Sequence, residues 1–461
     1  MSNTIYIFGA GPTGLSLAWL LKKDTNRPVV VIEKYKSAGG TWTTRWNDVN
    51  LFTQHSPQVL SNSYLNTINL WKDMGIDYND FTGPTRSEWK TLIWDHTNFT
   101  DKMKIVSGYI SYMFKKQHYN HITVKEYFDK SLSNDGWKVV KRLCYILDGV
   151  PPSIMTIGEF YGSFDQNFNA TILEMTKSSD KGFAKLWVDK LKEQGVKFLF
   201  NTSLEKLTYE NESVAYVKNN NSVNLNILRG EFILTLDPLS LLKVLGSSDH
   251  IIKNNWGNWE NVSHKISKGI YTSLPIQFHF EQGIDVKKIS AFGSEWNITC
   301  VIIPLTASSL QTISCSIMDT NAYSSFLNKR VYECNPEEVK KEAWRQVYLQ
   351  NPNLPSNPII TIGADASWDK SGWSYDISSA CRTVLGHLKS RGNIDNLAIV
   401  GPLNYREYKP TTMEAAVETA LRFTGHKVET PTTLSFILKV VLATIIFIII
   451  IIIITKCTRR K

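Results

Sequence analysis

Three glycines near the start of the chain constrain its fold more than any other feature. In "IYIFGAGPTGLSLAWLL", Ile5 to Leu21, the spacing is Gly9-x-Gly11-x-x-Gly14, with β-formers before it and helically spaced apolar residues after it. Ile5, Tyr6, Ile7 and Phe8 read as a strand, and Leu15, Leu17, Ala18, Leu20 and Leu21 as the inner face of a helix. Gly9 permits the tight turn, Gly11 lets main-chain N–H groups approach a diphosphate, and Gly14 lets the helix lie close on the strand. An anion there sits at the positive end of the helix dipole. The next strand, "VVVIE", ends at Glu33, nineteen residues after Gly14, where a carboxylate is wanted to accept from ribose hydroxyls. A dinucleotide site is the reading, with a plain structural strand–turn–helix as the alternative. Further on, Gly39 and Gly40 offer a second flexible approach of backbone to the same place.

A chain of 461 residues has room for two or more domains with a substantial core. Its six cysteines are scattered with no C-x-x-C, so neither a zinc site nor a redox dithiol is indicated and reduced, mostly buried thiols are expected. The net charge of +9 could fit nucleic acid, but four of those charges lie in the last six residues and no Arg-rich run or nucleic-acid motif occurs. No nucleic-acid partner is expected, and no metal.

The other end reads differently. "LSFILKVVLATIIFIIIIIIIT", Leu434 to Thr455, is followed by Lys456, Arg459, Arg460 and Lys461. As a helix it spans about 33 Å, against a hydrocarbon core of about 30 Å. Ile445 to Ile454 contributes about −5 kcal/mol toward insertion, which outweighs about +3 kcal/mol for Lys439. A C-terminal transmembrane helix over 434–455 is therefore expected. A strand starting at Thr4 leaves no room for a secretory leader, so the rest of the chain is expected on the cytosolic side. A short anchor with a basic tail suits the endoplasmic reticulum, the mitochondrial outer membrane or a virion membrane alike.

Nucleotide-type α/β segments recur. "DKGFAKLWVDKLKEQG" reads as an amphipathic helix, "VKFLF", "LEKLTY" and "SVAYV" as short strands, and "EFILTLDP" as a buried strand. "NLAIVGP" is another buried strand and "TTMEAAVETALRF" a helix entered through Thr411 and Thr412. Between these lie a helical stretch from Ser87 to Ser133 and the strand-like "SLPIQFHF", "NITCVIIPL" and "TISCSIM", expected to form a mixed sheet in another domain.

That layout resembles the flavin-containing amine oxidase superfamily, which includes phytoene-desaturase-like and protoporphyrinogen-oxidase-like enzymes. Three stretches carry the resemblance: "IFGAGPTGLSLAWLL…VVVIEKYKSAGG", "DKGFAKLWVDKLKEQGVKFLFNTSLEKL" and "NLAIVGPLNYREYKPTTMEAAVETALRF". It implies an α/β fold with a Rossmann-type FAD-binding domain assembled from residues 1–75, 176–240 and 378–427. A substrate domain of helices and mixed sheet would take 76–175 and 241–377. It further implies FAD held by Gly9, Ala10, Gly11, Pro12, Thr13 and Gly14, by Glu33 and Lys34, and by Gly40, Thr41 and Trp42. The backbone near Leu204 would contact adenine, Gly401 would approach the cofactor, and the helix start at Thr412 and Met413 would point at the flavin pyrimidine. Trp373 and Tyr375 resemble an aromatic segment near the flavin, with core packing as the alternative.

The sequence departs from the family in four places. Thr41 and Trp42 follow the double glycine where Arg is frequent, Pro402 replaces an acidic residue, Ala415 replaces a glycine, and Pro275 stands where amine-oxidising members carry Lys. The implied activity is an FAD-dependent oxidoreductase taking hydride from a small-molecule or lipid-like substrate, with dioxygen or a membrane quinone as acceptor. No catalytic side chain is assigned, because His55, His264 and His279 stand isolated in the sequence. "GGTW" at Gly39–Trp42 also resembles flavin monooxygenases, although no second G-x-G-x-x-G for NADPH occurs. A non-catalytic prenyl-protein escort, resembling Rab GDP-dissociation inhibitors, is the reading from outside the enzymes.

Overall fold

A computed structural model describes residues 4–46, 51–81, 89–167, 172–174, 183–210, 212–219, 225–285, 289–291, 293–303 and 310–430, with Val441 and Thr444. The expected membrane span at 434–455 otherwise lies outside the described residues. Among the described residues no helix is long and apolar enough to cross a membrane.

Five short strands, β1 (Ile5–Phe8), β2 (Val29–Ile32), β3 (Lys197–Leu199), β4 (Glu231–Leu234) and β5 (Leu397–Ile399), form a parallel sheet in the order β5-β4-β1-β2-β3. The sheet is thus assembled from three separate stretches of chain. β1, β2, β4 and β5 read as largely apolar runs because both faces are covered there, as in the interior of a parallel sheet, whereas the edge strand β3 is part-exposed. Ile5, Ile7, Val29, Val31, Ile233 and Ala398 face helices α1 (Pro12–Asp24) and α2 (Met413–Thr424). The alternate residues Phe8, Val30, Ile32, Phe232, Leu234 and Ile399 pack on the other side against Leu241, Leu245 and Ile266.

One helix in this half, Leu65–Asp73, went unread in the sequence. It buries Leu70 and Trp71, and its first turn is fastened to α2. Glu414 accepts hydrogen bonds from Asn66 N and Nδ2 (2.8 and 2.7 Å) and from Thr67 N and Oγ1 (2.9 and 2.8 Å). Burial pushes the Glu414 carboxyl up to about 7 despite those four donors.

A second sheet runs Ile298–Ile303, Gln311–Ile317, Leu274–Phe280, Ile359–Ile362, antiparallel at every pairing. This narrows the mixed sheet expected there to an antiparallel one. Helix Pro336–Gln350 covers it through Val339, Ala343 and Val347. Cys300 and Cys315 stand directly opposite on neighbouring strands, Cα atoms 4.2 Å apart, and are joined by a disulfide. That corrects the expectation of reduced thiols for this pair, since their register follows from strand pairing that spacing alone does not reveal. Cys144, Cys334 and Cys381 are free and buried.

His279 in this sheet is a structural histidine. It is buried, with Nδ1 bonded to Thr312 Oγ1 and Nε2 to Thr361 Oγ1, both at 2.9 Å, on the two flanking strands. Burial lowers it to about 4. The folded group therefore resists protonation where the unfolded one accepts it, so its stabilisation is present above about pH 6.5 and lost as pH falls toward 4. His279→Gln is expected to unfold less steeply with acid, recovering about 3 kcal/mol of the loss between pH 7 and pH 4. Urea titrations at the two pH values measure this; equal pH dependence in both proteins would show that His279 is not the group.

Candidate functional site

At the end of β1 the chain turns through Gly9, with φ +109°, whose N–H donates to Ile32 O at 2.8 Å. Gly11 caps α1 in an extended conformation and Pro12 opens the helix, where a missing N–H costs nothing. A Cβ on Gly14 would stand 2.0 Å from Gly9 O, so the helix rests directly on the turn. A Cβ on Gly11 would meet nothing nearer than Gly40 Cα, at 3.8 Å. The double glycine lies on top: Gly39 N–H donates to Ala10 O at 2.8 Å, and Gly39 and Gly40 both take positive φ.

Glu33 is buried at the end of β2. Its Oε2 accepts Ala10 N–H at 2.8 Å and its Oε1 accepts Tyr35 N–H at 3.1 Å. Burial raises the carboxyl above its ordinary range, against the pull of those two donors and of Lys34 and Arg45. The Arg45 guanidinium lies over the Tyr35 ring, 3.9 Å from its centroid.

These groups form one side of a cleft of about 310 Å³. Thr202, Ser203, Leu204 and Glu205 face them at one end, and Thr235 and Asp237 in the middle. Pro402, after β5, lies at the far end by strand order, and Trp42, Ser378, Ser379 and the first turn of α2, with Thr411, Thr412, Ala415 and Ala416, complete the lining. Two helix N-termini therefore border a single cleft, both favouring negative charge.

Eleven of the sequence-derived residues line it: Gly9, Gly11, Pro12, Thr13, Glu33, Lys34, Gly40, Thr41, Trp42, Leu204 and Thr412. Ala10, Gly14 and Met413 stand behind the wall, while Gly401, beside the lining residue Pro402, leaves open space where a Cβ would stand. Ala10 and Met413 are fully buried, Gly14 is spent on helix–strand contact, and Gly401 donates its N–H to Asn404 Oδ1 at 2.7 Å.

Residues 7–74 match the NAD(P)-binding Rossmann-like domain family. Among solved structures, putrescine oxidase bound to putrescine superposes with a TM-score of 0.62 at 13% identity, covering 92% of this chain and 98% of its own. Cyclohexylamine oxidase from Brevibacterium oxydans gives 0.60 at 10% identity with the same coverage. The chain has the fold of the flavin-containing amine oxidases. A protein from Exiguobacterium assigned as a protoporphyrinogen oxidase gives 0.56 at 12% identity, again covering 92% and 98%. At such identities the likeness is one of fold. No curated protein matches in sequence.

Within that fold, Trp373 and Tyr375 take the packing alternative: they belong to a hairpin laid on the second sheet, and Trp373 Nε1 donates to Cys334 O at 2.9 Å. Pro275 is a strand residue opposite Ser316. Among the described residues no group of three or more His, Cys, Asp or Glu is arranged to hold a metal ion.

His55 corrects the reading that it stands isolated. Its Nδ1 bonds Asp365 Oδ2 across 310 residues of sequence, and both side chains are buried. They line a small cavity with Gly40, Thr43, Arg45, Thr53, Gln54 and Ile377. Sequence reasoning also missed Thr235, Asp237, Ser378 and Ser379. The first two could have been found from the rule that ligands of open α/β sheets lie beyond the carboxyl ends of the strands, since both follow β4 directly.

Proposed function

We propose that this chain is an FAD-dependent oxidoreductase of the amine oxidase and desaturase type, taking hydride from a small-molecule or lipid-like substrate. One observation carries the reading: the cleft wall at Gly11 is bare main chain, where a Cβ would stand in contact with nothing nearer than Gly40 Cα, at 3.8 Å. A diphosphate needs such a place beside a helix N-terminus. Gly11 to Thr13 would hold the diphosphate, Glu33 a ribose, the backbone near Leu204 the adenine, and the first turn of α2 the flavin pyrimidine. When bound, the flavin supplies the two-electron chemistry. The chain's part is to hold it, orient substrate and exclude water.

We assign residues 434–455 as a membrane anchor that brings the site to a lipid-soluble substrate or acceptor. This part rests on the apolar run in the sequence.

The expected result is that purified full-length protein is yellow, and that acid or heat releases FAD identified by mass and fluorescence. Colourless protein that takes up no FAD would remove the redox reading and favour the escort, whereas bleaching by NADPH would favour a monooxygenase.

A further inference from the structure

Helix Phe99–Phe114 is apolar on two opposite faces. Its inner face buries Ile105, Gly108, Tyr109 and Tyr112, together with the helix's one acid, Asp101, which accepts from Ser133 N at 2.9 Å. Its outer face carries Phe99, Met103, Val106, Ile110 and Phe114, whose spacing of three and four residues makes a single row about 22 Å long. Phe99, Met103 and Phe114 are 65%, 44% and 82% exposed, and Val106 and Ile110 are half-buried. Trp94 on the neighbouring helix Trp89–His96 is also exposed, and Lys102 Nζ lies over its ring, 5.8 Å from the centroid.

Single apolar residues are ordinary on a protein surface, whereas a row of five along one helix needs a partner. The flanking charges say which kind. At 100° per residue Lys102 and Lys104 fall on the two sides of the row, Lys115 and Lys116 follow its end, and no Asp or Glu of this helix stands on the outer face. The core of a protein interface is depleted in lysine. Lysines whose stems lie along an apolar row, with ammonium groups at its edges, suit the boundary between acyl chains and headgroups.

The place where the chain leaves the described fold agrees. Glu429 is fastened to the Leu65–Asp73 helix, its N–H donating to Asn66 Oδ1 at 2.8 Å and its carbonyl accepting from Asn66 Nδ2 at 2.9 Å. From Thr430 to Leu434, where the apolar run begins, is four residue steps, at most about 14 Å. A bilayer that holds 434–455 therefore lies close against the folded part. Helix Ile157–Asn167 joins this region to the apolar row: Asp165 Oδ1 accepts from Tyr109 Oη at 2.7 Å, and Asn167 Oδ1 from Tyr408 Oη at 3.1 Å. The same Tyr408 hydroxyl is 3.4 Å from Ser63 Oγ, three residues before Asn66.

Resting on the anchor assigned above, we propose that the outer face of helix Phe99–Phe114, with Trp94, is a second membrane contact. It lies flat in the interfacial layer of the bilayer that holds 434–455, with Lys102, Lys104, Lys115 and Lys116 at the level of the headgroups. The folded part is thereby fixed in orientation on the membrane rather than hung from it.

Full-length protein in phosphatidylcholine vesicles with about 25% phosphatidylserine tests this. An environment-sensitive dye is attached through Phe99→Cys or Phe114→Cys in a Cys457→Ser background, in which Cys144, Cys334 and Cys381 are buried. At both positions the emission is expected to shift to the blue and to fall by about half when nitroxide-bearing phospholipid is included. At Leu349→Cys, as exposed as Phe99 but on the helix that covers the second sheet, it is expected to keep its aqueous spectrum. Protein that floats with the vesicles but shows no lipid quenching at 99 and 114 overturns this inference alone; if the dye is then shielded from aqueous iodide, a second copy or another protein covers the row. Equal quenching at 349 also overturns it, because the contact is then not made by this face. Protein that fails to float overturns the anchor, and this inference with it.

Discussion

Gly14→Ala is expected to unfold the nucleotide-binding half of the molecule, whereas Gly11→Val leaves the fold intact and abolishes cofactor uptake. The two glycines lie three residues apart in one turn, so the contrast isolates what each is for. At Gly14 the new methyl would stand 2.0 Å from Gly9 O and 2.8 Å from Thr235 Oγ1, which itself donates to Phe8 O and Gly9 O at 2.9 Å. The Gly9 backbone cannot yield unless α1 lifts from the sheet, separating Leu17 and Ala18 from Ile5, Ile7 and Val31. Overpacking of this kind costs about 3 kcal/mol or more, a large part of a typical total of about 5–15 kcal/mol. Gly11, by contrast, has φ −74° and ψ 178°, which any residue adopts and which its neighbour Pro12 favours. A Cβ there stands in ordinary contact with Gly40 Cα at 3.8 Å, so a valine whose methyls turn into the cleft is expected to change stability by about 0.5 kcal/mol. A loss of at least about 2.7 kcal/mol in FAD binding, a hundredfold in Kd, follows from blocking the diphosphate. Thermal unfolding and FAD titration of both variants measure the contrast. A Gly11→Val protein that binds FAD like wild type would place the diphosphate elsewhere.

What the sequence revealed in advance was local. The β1–α1–β2 unit could be read because glycine spacing and apolar runs lie within a few residues of each other, and α2 because its caps and periodicity do. The unread features are held together across the chain. The Leu65–Asp73 helix carries few apolar positions, and its first turn is satisfied by Glu414, 348 residues away from Asn66. His55 acquires meaning only from Asp365, and Cys300 from the register of the strand that holds Cys315. The same holds at the cleft. Gly11 and Glu33 announce themselves by spacing, whereas Ser378 reaches the wall because its hydroxyl donates to Asp237 Oδ1 at 2.9 Å. Motif-bearing residues whose work is internal, such as Gly14 and Met413, look the same in sequence as those that face a ligand.

The far end of the cleft depends on a residue that no motif marks. Arg406 is 1% exposed and fans its guanidinium over the loop that contains it: Nε donates to Tyr408 O at 3.0 Å, Nη1 to Pro402 O, and Nη2 to Lys409 O at 2.9 Å and Thr411 Oγ1 at 3.0 Å. From outside, Glu418 of α2 accepts from Glu407 N and Tyr408 N at 2.7 and 2.8 Å. The loop from β5 to α2 is thus held on both sides, and Pro402, Thr411 and Thr412 are thereby presented to the cleft. Arg406→Ala leaves three carbonyls without these donors, that of Tyr408 buried and those of Pro402 and Lys409 part-buried, with an expected cost of about 3 kcal/mol in urea unfolding. Lysine should rescue little, because one ammonium cannot spread over four acceptors as a planar guanidinium does. Because the loop carries the first turn of α2, FAD affinity is expected to fall together with stability, and proteolysis to open the chain between 402 and 411. An Arg406→Ala protein with wild-type stability and FAD affinity would mean that Glu418 alone holds the loop, and that the end wall of the cleft is set by α2 rather than by the turn leading into it.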